Sequence, residues 1–286
     1  MSIDQIIDVH VRSRMSRYHR IGGAIQMLGV IQAVANAHPD VLVRGVVLEQ
    51  FAPWLRLGCP NVVTVESGAP LCNELWPNAI DERDVDRLAA EFGWDRQQVW
   101  AEELGLTPAP ATPIIGADAM QWARTTHTQL AGGKKVVWLS PYCNRPAWCW
   151  PAERWVELGS ALQTAGYTVV ATHLSTEPAF QFAGTTMPDV PPERTAALFS
   201  LADLIISHDA GLAHLAGFLG VPTIALCGPT LGPVVFGCYP SVRTIQAPGE
   251  CCGCVSAAQQ ICAGGCGMLR NLATDTVLAL ASQVCG

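Results

Sequence analysis

The chain has 286 residues, half of them apolar and only 14% charged, against roughly 25% charged in an average soluble protein. That composition excludes disorder and coiled coil. No apolar run reaches the roughly 18–20 residues of a membrane helix. A net charge of −7, from 17 basic and 24 acidic residues, argues against a surface that grips nucleic acid throughout. The start, Met1-Ser2-Ile3-Asp4-Gln5, lacks the basic and apolar regions of a secretory leader. A cytoplasmic location without stable membrane insertion is therefore expected, on a length that suits about two domains.

The first half alternates β-rich and helical segments. Ile6–Val11 has strand character, and a helix is expected over 23–37, where Ile25, Leu28, Ile31 and Ala35 recur at helical spacing. Pro39 ends it, because proline cannot continue a helix. A strand at 41–48, a short helix at 51–57 and a strand at 62–65 follow, the order of a parallel sheet with crossover helices. Positions 81–104 carry dense charge and read as exposed helices. Thr107-Pro108-Ala109-Pro110-Ala111-Thr112-Pro113 is extended by composition, and a helix over 118–130 leads into the second half. The domains are expected at 1–128 and 129–286.

The second half repeats the alternation. Strands are expected at 135–139, 168–172, 203–207 and 223–227, with helices at 151–165, 195–201, 210–219 and 273–284. Two Rossmann-like parallel-sheet halves of unequal size follow, with ligands beyond the carboxyl ends of the strands.

The most informative stretch is Leu204 to His214, a buried-type strand, a small polar turn and a helix. Gly211 allows close backbone approach, and the helix start offers unpaired N–H groups that suit a diphosphate. Asp209 either caps the helix or accepts a hydroxyl hydrogen bond. His214 can donate to phosphate, and Thr230, after the next strand, can meet the same ligand. A generic strand–turn–helix with a packed histidine fits the same residues.

Asp209-Ala210-Gly211-Leu212-Ala213-His214-Leu215-Ala216, with Leu219-Gly220-Val221-Pro222 and Gly228-Pro229-Thr230, resembles the donor-site signature of glycosyltransferase family 9, the heptosyltransferase-like group. Leu139-Ser140-Pro141-Tyr142-Cys143-Asn144 and Trp150-Pro151-Ala152-Glu153-Arg154-Trp155 resemble its other C-terminal motif. The resemblance runs from about Val136 to Val284 and is fainter over 22–65. It implies a GT-B fold and an inverting transfer from a nucleotide-diphosphate sugar without a catalytic metal. The donor would lie on the second half, at Ser140, Asn144, Arg145, Asp209, Ala210, Gly211, Leu212, His214 and Thr230, and the acceptor mainly on the first.

The chain departs from the family in three places. Gly22-Gly23 stands where the family carries an acidic base after glycine, leaving Asp8, His10, His19 and Glu49 as candidate bases. Trp148-Cys149 stands where a basic residue is usual, and Arg145 can serve instead. The first half also runs roughly 40–60 residues short of an ordinary domain of this kind. A non-catalytic nucleotide-sugar-binding protein is therefore the alternative.

Arg12, Arg14, Arg17 and Arg20 crowd one loop with His19. Arginine forks match phosphate and carboxylate, so an anionic acceptor is expected. A glycan or lipid core is favoured over a modified nucleic acid, which the net charge opposes.

Twelve cysteines without an export signal are expected reduced. Cys251, Cys254, Cys262 and Cys266 pair closely within a glycine-rich loop at 249–268. Four thiolates suit a structural Zn2+ or Fe ion, with Cys252 a possible substitute ligand. Free thiols and internal disulfides are the other readings. Trp148 and Trp150 are expected either in the core or stacked on a sugar or base.

Overall fold

The computed structural model describes residues 6–10, 21–65, 82–143, 149–173, 184–188, 190–249, 252 and 267–285. The chain divides into two compact units, Met1–Ile115 and Gly116–Gly286.

In the first unit, β1 (Ile6–His10), β2 (Leu42–Leu48) and β3 (Val62–Val65) form a parallel sheet in the order β1-β2-β3. The helix α1 (Ile21–Ala37) joins β1 to β2, and a 3-10 turn at Glu49–Phe51 runs into α2 (Ala52–Leu55). The expected apolar stripe of α1 is wider than its spacing suggests. Gln26, Met27 and Val30 are buried along with Ile25, Leu28 and Ile31.

The reason lies in α3 (Glu82–Phe92) and α4 (Arg96–Glu102), which correct the expectation of plainly exposed helices. Val85, Ala89, Val99 and Ala101 are buried, and α4 packs on α1. Gln97 Nε2 donates to the Gln26 carbonyl at 2.7 Å. A Cβ at Gly29 would collide with the Gln97 side chain, so glycine there permits the close approach. Asp95 caps α4 in a capping box with Gln98, while Arg96 holds Asp86 through two nitrogens.

The second unit begins with α5 (Ala117–Ala131), ahead of which the division falls; the expected division lies near the end of this helix. Three contacts account for its place. It packs on α7 (Pro192–Phe199). Glu193 accepts the Gly116 N–H at 2.7 Å, and the Arg194 guanidinium lies 4.7 Å over the Trp122 ring.

Six parallel strands follow: β4 (Val136–Ser140), β5 (Thr168–His173), β6 (Thr185–Pro188), β7 (Leu204–His208), β8 (Thr223–Cys227) and β9 (Val242–Gln246). Their order is β6-β5-β4-β7-β8-β9, the doubly wound arrangement that reverses direction beside its first strand. Every residue of β4, β7 and β8 is buried, as expected of strands covered on both faces. The connecting helices are α6 (Ala152–Thr164), α7, α8 (Gly211–Phe218) and α9 (Gly232–Phe236), and α10 (Thr274–Cys285) packs back on α6. Among the described residues, no helix is long and apolar enough to cross a membrane.

Candidate functional site

The strand order of the second sheet reverses between β4 and β7, so Ser140 and His208 end the two strands that border the switch point. Ligands of doubly wound sheets bind in the crevice outside those carboxyl ends. Ser140 pairs in register with Ser207, and both are buried. The Ser207 hydroxyl has no hydrogen-bond partner among the described residues.

Beyond β7 the chain turns through Asp209 and Ala210 into α8. The N-cap is Ala210, in extended conformation, and no side chain caps the helix. Of the two roles open to Asp209, the structure takes the second. Its Oδ2 accepts the Thr230 hydroxyl at 2.7 Å, and its N–H donates to the Leu226 carbonyl at 3.1 Å. Its Oδ1 lies 3.9 Å from His214 Nε2. The first turn of α8 carries no acidic residue. The half-buried Gly211 and Leu212 therefore present N–H groups without a partner inside the helix, at its positive end. The backbone donors at the helix start thus lie beside the Asp209–Thr230 pair and His214, and a helix start of this kind can hold an anion.

Two residues that the sequence does not single out hold this rim. Gln246 Nε2 donates to the carbonyls of Cys227 (3.2 Å) and Gly228, fixing the turn that carries Thr230. His208 is fully buried, and its Nε2 accepts the Trp150 N–H at 2.7 Å. Trp150 in turn donates from Nε1 to the Leu272 carbonyl at 2.9 Å, and Trp155 stands edge-on to both Trp150 and His208. Trp150 is thus a core residue. The signal available for His208 is a polar side chain closing a largely apolar strand, which also fits an exposed strand end, whereas Gln246 closes a strand that already carries Arg243 and Thr244 and gives no such signal.

Burial lowers the His208 pKa from 6.5 to about 3, against the opposing pull of the Tyr142 backbone. The imidazole is neutral, with its proton on Nδ1. A depressed histidine binds its proton only on unfolding, so its contribution is present above pH 6.5 and lost as the pH falls toward 3. Comparing urea midpoints at pH 7 and pH 5, the wild type is expected to lose about 2 kcal/mol more stability than His208→Asn. Equal losses would show that His208 takes up its proton in the folded state. Burial first, then Asp209 and Cys252, raises the Cys227 thiol well above its ordinary range, so it stays protonated at the rim.

In the first unit, Asp8 lies mid-strand. Both its oxygens accept from Arg44, at 2.7 and 2.8 Å, so the carboxylate is already committed to an ion pair. His10 ends β1 at its carboxyl side, and Glu49 is exposed just past the end of β2. Gly23 lies in the first turn of α1, where a Cβ would meet nothing within 4 Å. No packing demand therefore explains the missing acid. His19, Arg12, Arg14, Arg17, Arg20, Asn144, Arg145, Trp148 and the cysteines 251, 254, 262 and 266 lie outside the described residues. Among the described residues, no group of three or more His, Cys, Asp or Glu side chains could hold a metal ion. Cys252 is exposed and free.

A doubly wound parallel sheet with an uncapped helix start at its switch point defines the class: an α/β protein whose crevice opens at the carboxyl ends of its central strands. The family model of glycosyltransferase family 9 (heptosyltransferase) matches residues 94–259, more than half of the chain. The chain belongs to that family and is a glycosyltransferase. The glycosyl transferase family 9 protein of Veillonella parvula is 15% identical with a TM-score of 0.71, covering 100% of this chain and 98% of its own. The E. coli heptosyltransferase WaaC, solved with ADP, is 19% identical with a TM-score of 0.62, covering 98% and 100%. The iron-containing dodecameric glycosyltransferase TibC of enterotoxigenic E. coli is 14% identical with a TM-score of 0.62, covering 98% and 76%. These likenesses agree with a fold of the GT-B class. No curated protein sequence matches the chain.

Proposed function

We propose that this glycosyltransferase works in the cytosol, moving a sugar with inversion from a nucleoside-diphosphate sugar to an anionic acceptor, a glycan or lipid core. The observation that carries the reading is the uncapped start of α8 beside the Asp209–Thr230 pair and His214. Gly211 and Leu212 N–H groups bind the diphosphate, with Ser140, Ala210, His214 and Thr230 around it and Asn144 and Arg145 supplying the loop contacts. The acceptor hydroxyl loses its proton to a base and attacks the anomeric carbon from the face opposite the diphosphate. The new glycosidic C–O bond forms as the bond to phosphate breaks, and its electron pair leaves on the nucleoside diphosphate. The helix start and His214 stabilise that charge.

His10 and Glu49 suit the base better than the ion-paired Asp8, since both stand at carboxyl ends of the first sheet. His19 is the remaining candidate. Arg12, Arg14, Arg17 and Arg20 bind the acceptor's negative charge. Cys251, Cys254, Cys262 and Cys266 hold a structural Fe or Zn2+ ion. The thiolate chemistry of the set supports this, and TibC is an iron-containing relative in fold. Four thiolates leave no open position, so the ion clamps its loop and takes no part in transfer.

The test is a thermal-shift series with ADP, GDP, UDP and CDP, followed by assay of nucleotide release from the matching sugar donors with phosphorylated glycan and lipid-core acceptors. Stabilisation by at least one diphosphate and acceptor-dependent release are expected. Arg14→Ala with Arg17→Ala should raise the acceptor KM while leaving diphosphate affinity unchanged. Stabilisation by none of the four would overturn the reading, and binding without release on any acceptor would reduce it to a binding protein.

A further inference from the structure

His214 does not stand alone on α8. Its imidazole stacks on the Phe236 ring, with centroids 4.6 Å apart and planes 24° from parallel. Tyr239 meets it edge-on at 5.8 Å. From the rim, Asp209 Oδ1 lies 3.9 Å from Nε2. An imidazole has two side-chain torsions, and a ring on its face together with a ring at its edge restricts both. Nε2 is thereby kept turned toward Asp209, in the turn that leads into α8.

The two rings are themselves held from behind. A Cβ at Gly232, the first residue of α9, would lie 2.5 Å from Thr244 Oγ1 and 2.6 Å from its Cβ, so α9 rests directly on β9. The Gly232 N–H also faces Gln246 Oε1 at 3.4 Å, the same glutamine that fixes the Thr230 turn. A Cβ at Gly217 would lie 2.6 Å from the Tyr239 ring, so α8 and Tyr239 interlock. Phe236 and Tyr239 are both buried, and the Tyr239 N–H donates to the Phe236 carbonyl at 2.9 Å.

We propose that Phe236, backed by Tyr239, is a positioning residue of the donor site, acting on the diphosphate only through His214. The proposal rests on the reading that His214 contacts the diphosphate. Aromatic pairing of this kind is worth about 0.5–1.5 kcal/mol, so Phe236→Leu, which keeps most of the apolar volume, should weaken diphosphate binding roughly two- to tenfold. That loss should vanish in a His214→Ala background, where no imidazole remains to be placed. A role in packing alone would lower affinity by the same factor in both backgrounds.

The experiment is calorimetric titration of ADP, or whichever of GDP, UDP and CDP binds the wild type best, into four full-length proteins: wild type, Phe236→Leu, His214→Ala and the double variant. Tyr239→Leu, with Tyr239→Phe as its ring-keeping control, repeats the comparison should Phe236→Leu unfold. Proton NMR of the His214 ring adds a signature: stacked under the Phe236 face, its resonances should lie upfield and should move downfield in Phe236→Leu. Non-additive losses and that movement support the proposal. Wild-type affinity in Phe236→Leu overturns it and leaves the donor site standing. Equal losses in both backgrounds also overturn it. Unchanged affinity in His214→Ala removes His214 from the donor site and the proposal with it, as does failure of all four diphosphates to bind the wild type.

Discussion

His214→Ala is expected to weaken nucleoside-diphosphate binding roughly 10- to 100-fold, the range of one lost hydrogen bond to a charged group. The histidine is buried on α8 with Nε2 3.9 Å from Asp209 Oδ1, and its part in the proposed donor site is one hydrogen bond to the diphosphate. Thr230→Val should cost less, because its hydroxyl is already committed to Asp209. Titration of ADP into both variants checks the order. A larger loss for Thr230→Val would mean that the diphosphate is held from the β8 side of the rim, not from α8.

Trp155→Ala should carry a large stability cost, about 3–5 kcal/mol for deleting a buried aromatic side chain. Trp155 is fully buried in the core that joins β4 and β7 to α6 and α10. It also stands edge-on to Trp150 (5.2 Å) and His208 (5.0 Å). The loss therefore falls on the second unit and loosens the His208–Trp150 bond at the switch point. Urea unfolding followed by far-ultraviolet circular dichroism should show that unit unfolding at much lower denaturant. A cost under about 1 kcal/mol would mean that the core collapses around the vacancy.

Most strands of both sheets are legible in the sequence, the edge strand β3 as well as the central β8. β3 and β8 lie at the limits their sequences suggest, because Val62–Val65 and Thr223–Cys227 are short β-rich runs bounded by turn residues. The edge strands of the six-stranded sheet, β6 and β9, give no such signal. Thr185–Pro188 is short and ends in proline, while Val242–Gln246 is half-exposed and carries an arginine. Neither shows the buried run or the strict alternation from which strands are read. α9 is missed for a related reason: Gly-Pro-Val-Val-Phe is too short to display a helical period.

The proposed donor rim is legible in its residue types and less so in its bonds. A strand–turn–helix with glycine at the helix start announces an anion site. Whether Asp209 caps α8 or takes the Thr230 hydroxyl depends on a contact across 21 positions of sequence. Phe236 lies outside the donor-site residues read from the sequence because its part depends on where α9 lands on β9, a tertiary packing that spacing along the chain does not encode.

The most direct test of the donor assignment is a crystal structure of the full chain with ADP bound. Diphosphate oxygens are expected within hydrogen-bond distance of the Gly211 and Leu212 N–H groups and of His214 Nε2, at the carboxyl ends of β4 and β7. A diphosphate bound away from the start of α8 would contradict that assignment.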